Sequence, residues 1–362
     1  MADSNEVIKD QMLEALKQIH EPGIETDLVT AGFVQNIEAS DQSVEVVLRA
    51  FSPNSPFQEE MEGEVQKVVK GLLGSRELSI VWDLQIPTDG RQRGSDGSQI
   101  KNAIAVGSGK GGVGKSTIAV NLAVSLARAG AKVGLLDADV YGPNIPTMLG
   151  LRSLPPPQDG KMVPAEAFGV KVVSIAFLVE PGKPLIWRGP MLHSAIRQFI
   201  HDVIWGELDY LIIDLPPGTG DAPLSLSQSL PLSGAVVVTL PQKVSIEDAT
   251  RGLEMFRTMK VRVYGIVENM SYLELPDGSQ LDIFGQGGGK EMADELQVPF
   301  LGSVPMDRDT PNAGDSGIPI VISHPESSIS QSLNNIAYDL ALRVGTSALQ
   351  QRTAVPIQII DD

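Results

Sequence analysis

The chain has 362 residues, 42% of them hydrophobic, and a formal charge of −17. That is apolar material for two or three cored domains, with an acidic balance that disfavours sequence-independent binding to nucleic-acid phosphates. No apolar run approaches the roughly 20 residues of a membrane span. The opening Met-Ala-Asp-Ser-Asn-Glu is acidic, not a basic-then-apolar leader, and cysteine is absent, which excludes disulfides, thiolate zinc sites and cysteine nucleophiles together. The expectation is a soluble, cytoplasmic protein without membrane or nucleic-acid partners.

In chain order, residues 1–87 read as a small α+β domain. Ile8, Met12, Leu16 and Ile19 share one helical face, and the turn Glu21-Pro22-Gly23 ends that helix. Strands follow at Phe33–Ile37 and around Val44, Val46 and Leu48. A second helix carries Met61, Val65, Val68 and Leu72, and a last strand lies near Leu78–Trp82. This quarter holds 6 basic and 16 acidic residues, a net of −10, which reads as a solvated surface or a docking face for a basic partner. Residues 88–100 have the glycine-rich, aperiodic composition of a flexible linker. From 101 to 345 apolar strands alternate with helices, at 103–107, 132–137, 170–175, 209–214, 234–240, 262–268 and 300–304. Such alternation predicts an α/β domain with a mostly parallel sheet covered by helices on both faces. Ser328–Val344 reads as a closing helix and 346–362 as a tail.

The stretch Gly109-Lys-Gly-Gly-Val-Gly-Lys-Ser116 fits the phosphate-loop pattern G-x-x-x-x-G-K-[ST]. It lies between a predicted strand and a helix marked by Ile118, Leu122, Leu126 and Ala129, as such a loop requires. The backbone N–H groups of Gly109, Lys110, Gly111, Gly112, Val113 and Gly114 would cradle phosphates, Lys115 would place its charge on the outer ones, and Ser116 would hold Mg²⁺. Gly107, Gly109 and Gly112 also spell a dinucleotide fingerprint, with Asp137 ending the next strand. Such a fingerprint holds its pyrophosphate by backbone and helix dipole without lysines, so Lys110 and Lys115 argue against it. Strands 132–137 and 209–214 end in Asp137-Ala138-Asp139 and Asp214. Ligands of open parallel sheets bind beyond the carboxyl ends of the strands. The three aspartates are therefore expected at the loop, where nucleotide hydrolysis needs one carboxylate for Mg²⁺ and one to orient water.

These residues, together with Asp137-Ala-Asp-Val-Tyr-Gly-Pro-Asn144, Trp187-Arg-Gly-Pro-Met191, Asp214-Leu-Pro-Pro-Gly-Thr-Gly-Asp221, Val267-Glu-Asn-Met-Ser-Tyr272 and Ile283-Phe-Gly-Gln-Gly-Gly-Gly289, resemble the Mrp/ApbC family of phosphate-loop ATPases, in the wider group of MinD, ParA and the nitrogenase iron protein. Through Glu21-Pro-Gly-Ile-Glu-Thr-Asp27 and the strands after it, the first domain resembles the small domain of SufT-like iron–sulfur assembly proteins. The resemblance implies an ATPase with ATP and Mg²⁺ as its cofactors, working as a homodimer with iron–sulfur assembly factors or apo-protein clients. It implies that Lys110 reaches the nucleotide of the other subunit, that Lys115 binds phosphate in its own, and that Thr117 meets the inner phosphate. Ser116, Asp137 and Asp214 would serve Mg²⁺, partly through water. Asp139 would position the attacking water, Asn269 would contact the adenine, and Pro216–Gly220 would change shape with the nucleotide state.

The sequence departs from that family at its cargo. Relatives that carry a cluster have a C-x-x-C pair at positions that here are Leu275 and Gly278, and a further cysteine where this chain has Ser55-Pro56. Thiolates are the usual iron–sulfur ligands, and the nearby Glu274, Asp277 and Asp282 read as loop acids suited to harder ions. His193 and His201 stand two helical turns apart, too far for joint ligation. The alternative is a MinD- or ParA-like positioning switch. It would use a basic face on DNA, or a basic amphipathic helix on membrane, and the stripe Leu333, Ile336, Leu340 and Val344 has only Arg343 beside it.

Overall fold

Two sheets in two separate units organise the chain. A computed structural model describes residues 2–20, 26–51, 58–93, 99–178, 189–220, 223–224, 231–275 and 277–353. The chain divides into Met1–Asp89 with the segment from Ala341 onward, and Gly90–Leu340. The turn at 21–23, Ser55-Pro56, Trp187-Arg188 and Asp221 lie outside the described residues.

The first unit comprises α1 (Ala2–Leu16), β1 (Val34–Ala39), β2 (Ser43–Ala50), α2 (Gln58–Leu73) and β3 (Glu77–Leu84). β1 and β2 form an antiparallel hairpin, and β3 joins β2 in parallel after α2 has crossed between them. Alternation decides the buried face: Val44, Val46 and Leu48 of β2 are fully enclosed, while Glu45, Val47 and Arg49 turn the other way. In α2 the buried set is Met61, Val65 and Val69, so Val69 takes the inward position expected of Val68. A strict four-residue spacing keeps these three on one line facing the sheet. The C-terminal segment belongs here by close packing. At Gly345 a Cβ would come within 2.5 Å of the Phe51 ring, which itself meets Phe33 edge-on at 5.0 Å.

The second unit is built on β4 (Gln99–Ser108), β5 (Val133–Asp137), β6 (Ala165–Ala167), β7 (Val170–Ser174), β8 (Glu207–Asp214), β9 (Gly234–Thr239), β10 (Val263–Glu274), β11 (Gln280–Leu281) and β12 (Phe300–Met306). Among the described residues these nine form one sheet in the order β11-β10-β9-β4-β8-β5-β7-β6, with β12 also on β10. All pairings are parallel except those of the short edge strands β6 and β11, which the sequence pattern did not show. β8 and β9 are buried almost end to end, as strands covered on both faces must be. On one face Ala103, Ala105, Ile213 and Val237 pack with residues of the helices at Gly189–His201 and Lys243–Thr258. The alternate residues Ile104, Val106 and Ile212 are equally buried but lie outside that cluster. The helix Lys115–Arg128 packs on β4, β5 and β8.

β10 and the last helix run furthest past their expected ends. β10 continues from 268 to Glu274 because β12 pairs along it and its tip folds back onto β11. The last helix extends from Ser328 to Thr353. Its stripe of Leu333, Ile336, Leu340 and Val344 is fully buried, as a core surface is. No helix of the described residues is long and apolar enough to cross a membrane.

Candidate nucleotide site

The central strand β4 delivers its last residue, Ser108, to the carboxyl edge of the sheet between β8 and β9. The loop Gly109–Gly114 turns from there into the helix that begins at Lys115. Gly112 and Gly114 have φ of 81° and 80°, the left-handed region that glycine enters without strain. Gly109 is fixed by proximity: a Cβ there would lie 2.0 Å from the backbone of Asp248 in the helix Lys243–Thr258. The first N–H groups of a helix and the dipole behind them form an anion site, and Gly114, with no side chain to cap the helix, leaves them open.

Lys115 does not extend into water. It is 5% exposed, with Nζ donating to Asp214 Oδ1 at 2.6 Å and lying 3.4 Å from Asp139 Oδ2. Ser116 Oγ donates to the other Asp214 oxygen at 2.6 Å. Asp137 and Asp214 face each other across adjacent strands, at paired positions of β5 and β8. Asp137 Oδ2 accepts from Ser174 Oγ at 2.7 Å and from the Ile145 N–H at 3.3 Å; its Oδ1 accepts from the Asp139 N–H at 3.2 Å. Burial, and then the like charge of Asp214, push Asp137 up to about 8. Burial also raises Asp214, opposed by Lys115 and the Ser116 hydroxyl. The site thus holds one lysine against two facing acids, Asp137 and Asp214, that burial pushes toward their neutral forms.

The described residues contain no group of three or more His, Cys, Asp or Glu arranged to enclose a metal ion. Mg²⁺ does not need one: it is usually held by one or two carboxylates or a hydroxyl, with substrate phosphates and water completing the shell. Ser116 Oγ and Asp214 are oxygen donors of that kind at the mouth of the loop. Asp137, whose oxygens are already taken by protein donors, suits a role behind a metal-bound water.

The structure brings together at this edge the loop, Lys115, Ser116, Asp137, Asp139 and Asp214. It leaves Lys110 half-buried and its ammonium without a hydrogen-bond or ion-pair partner among the described residues; its carbonyl accepts from Ser108 Oγ at 2.9 Å. The segment Pro216–Gly220 is tied to the base of the loop, since Gly218 N–H donates to Ser108 O at 2.8 Å. Asn269 Nδ2 donates to the carbonyl of Val113 at 2.8 Å, so this amide also braces the loop. Beside Thr117 a cavity of about 500 Å³ opens between Asn144, Asn269, Pro305, Asp307, Thr310 and Asp315. The side chains at 305–315 were not legible as site residues. The available signal is that Pro305-Met-Asp307 directly follows the strand expected at 300–304, on the same edge as the three aspartates. Ser174, the hydroxyl under Asp137, lies near the end of the strand expected at 170–175, and nothing else in the sequence marks it as a site residue.

Positions 275 and 278 are the corners of a tight turn at the tip of the β10–β11 hairpin. Gly278 N–H donates to Leu275 O at 2.8 Å, and Gly278 has φ of 80°. Of the acids around this turn, Glu274, Asp277 and Asp282 are exposed. His201 is exposed at the end of its helix, and the side chain of His193 lies outside the described residues.

A parallel sheet flanked by helices, with a glycine loop running from its central strand into a helix that starts on a lysine, defines a phosphate-loop NTPase. Residues 99–341 match the family model described as NUBPL iron-transfer P-loop NTPase, and residues 9–80 match that of an iron–sulfur cluster assembly protein. The chain is 47% identical over 350 residues to an iron–sulfur cluster carrier protein of Synechocystis, covering 94% of this chain and 99% of that one. It is 45% identical over 347 residues to one of Deinococcus radiodurans, covering 95% and 98%. Among solved structures it resembles a nucleotide-binding protein from Archaeoglobus fulgidus in complex with ADP, at TM-score 0.54 and 42% identity, covering 60% of this chain and 87% of that one. The chain belongs to the Mrp/ApbC-like iron–sulfur carrier family of phosphate-loop NTPases, with an N-terminal iron–sulfur assembly domain and without the family's cysteine pair.

Proposed function

We propose that the chain binds ATP with Mg²⁺ at Gly109–Thr117, hydrolyses it as a homodimer, and uses that cycle in iron–sulfur protein assembly. The observation that carries this is the Lys115–Asp214–Ser116 constellation, with 2.6 Å bonds from both residues to one buried carboxylate at the start of the loop helix. In the free chain Asp214 holds Lys115 in place. A triphosphate offers that lysine stronger negative charge, and the N–H groups of 109–114 would cradle its oxygens. When bound, Mg²⁺ neutralises charge on the phosphate oxygens. Ser116 and Asp214 would hold it, with Asp137 behind. Asp139, 3.4 Å from Lys115 and buried, is the carboxylate left to orient water. The cavity beside Thr117 has room for a nucleoside, and Asn269, already anchored on Val113, lies at its border.

Lys110 stands at the rim of the loop, where a second copy's nucleotide would meet it and gain charge in the transition state only on assembly. The exposed large apolar residues of the second unit support a face-to-face dimer. Of these, Tyr141, Leu178, Met191 and Val244 lie in segments that follow the carboxyl ends of β5, β7 and β9, the edge that carries the loop, and Leu281 and Ile283 lie at and just after β11 in the hairpin beyond β10. The chain's own atoms offer no thiolate for a cluster, so cluster handling would take ligands from a client or an assembly factor. Equilibrium binding of a fluorescent ATP analogue with Mg²⁺, followed by phosphate release, tests the nucleotide reading; absence of binding refutes it. Anaerobic incubation with iron and sulfide, alone and with an apo-protein client, tests the cargo. A stoichiometric cluster on the chain alone would overturn dependence on a partner's ligands.

A further inference from the structure

Glu268 is fully buried in β10, and no lysine or arginine pairs with it among the described residues. Its carboxylate is instead spent on the backbone of the glycine loop that follows the β10–β11 hairpin. Oε2 accepts from the Gly289 N–H at 2.6 Å, and Oε1 accepts from the Gly287 N–H at 3.2 Å and from the Ser271 hydroxyl. The approach is close enough to dictate residue type: a Cβ at Gly289 would lie 2.9 Å from Glu268 Cβ, and Gly287 has φ of 82°. A carboxylate that accepts two backbone N–H groups and a hydroxyl in an enclosed site fixes the loop's position.

The next residue faces the opposite way. Asn269 donates to Val113 O in the phosphate loop, and a Cβ at Gly114 would lie only 2.2 Å from Asn269 Nδ2. Neighbouring residues of a strand project to opposite sides through one rigid peptide unit. The phosphate loop and the glycine loop are therefore held from the two sides of a single dipeptide. Immediately beyond it β10 loses register with β12: Asn269 pairs with Val304 but Leu273 with Met306, and Met270 between them has φ of 53°. A bulge with a left-handed, non-glycine residue is a place where a strand can change its path.

We propose that Glu268 is a positioning residue that couples the state of the phosphate loop, through Asn269, to the glycine loop 285–289 and the hairpin before it. This rests on the loop binding nucleotide, and it deepens that reading by naming how the turn at 275–278, where related carriers place their cysteine pair, would sense the bound nucleotide. A shift of Val113 on phosphate binding moves Asn269, and Glu268 carries the movement to Gly287 and Gly289.

The test is amide hydrogen exchange across 272–289 in the full chain, free, with Mg²⁺–ADP, and with Mg²⁺ and a non-hydrolysable ATP analogue. Nucleotide binding is titrated separately by fluorescence. In the parent, exchange in this segment changes by about tenfold or more on binding. In Glu268→Gln, which keeps one acceptor but loses the second, affinity stays within about threefold while the segment's response to nucleotide is lost. Should that variant not fold, Ser271→Ala removes only the hydroxyl and is expected to shrink the response. A parent segment that ignores bound nucleotide, or a folded variant that responds as the parent does, overturns the coupling. A parent that fails the fluorescence titration refutes the nucleotide reading itself, and the coupling falls with it.

Discussion

Replacing Lys115 with methionine removes the only cation bonded to a fully buried carboxylate among the described residues of the site. Lys115 is 5% exposed and Asp214 is 0% exposed, and they are 2.6 Å apart. Taking one partner from a buried pair costs about 3–5 kcal/mol, because the other charge is left without compensation. Protonation offers Asp214 a way out, at about 1.4 kcal/mol for each pH unit above its ordinary value, which is 3.8. At pH 5.5 the escape costs about 2 kcal/mol, so the loss is held near that figure. At pH 8 the escape costs more than the unpaired charge, and the full 3–5 kcal/mol is expected. The sign follows from linkage: above pH 3.8 the folded variant holds a proton that the unfolded chain has released, so its stability falls as pH rises. In the parent, Asp137, pushed up to about 8, and Asp214, which burial raises even with Lys115 opposing it, impose a fall of the same sign, so the parent is the reference at each pH and only the part of the Asp214 response that Lys115 suppresses appears as a widening gap. For a unit of this size about 2–4 °C accompanies each kcal/mol. The nucleotide-free variant should therefore melt about 4–8 °C below the parent at pH 5.5 and about 6–20 °C below it at pH 8. Differential scanning calorimetry measures both. Equal gaps at the two pH values, or none, would refute the buried pairing of Lys115 with Asp214.

Three further substitutions test the proposed roles. Lys110→Ala should bind Mg²⁺–ATP within about threefold of the parent yet hydrolyse it about a hundredfold more slowly; equal turnover would remove it from the transition state. Asp139→Asn should slow phosphate release by about 10²–10³-fold and leave ATP bound after gel filtration, whereas unchanged turnover would rule it out as the water-orienting group. In Gly109→Ala the new methyl would meet the Asp248 backbone at 2.0 Å. That overlap should cost about 1–3 kcal/mol in urea unfolding and weaken nucleotide binding more than tenfold; a variant that binds and unfolds like the parent would show that the helix does not press on the loop.

Much of the site could be read without coordinates because its chemistry is local in the chain. A phosphate loop needs its glycines, lysine and serine at consecutive positions, and apolar strands that end in aspartate announce the edge where ligands bind. Periodicity likewise exposed the first unit's helices and the parallel strands. The missing thiols were visible in the same way, as residue types at two counted positions. What the tertiary structure alone decided depends on groups far apart in sequence. Val69 rather than Val68 turns inward because a sheet lies on that side of α2. Asp214 meets Lys115 because β8 lies next to β4. Asp137 is pushed up because paired strands place two carboxylates side by side where water does not reach. Glu268 read only as part of a motif until its oxygens were found on Gly287 and Gly289. Sequence thus determined that this chain carries a phosphate loop and lacks thiolate ligands. Only the packing of distant segments, which sets distance and burial, decided which acid holds the lysine and how the loop is braced.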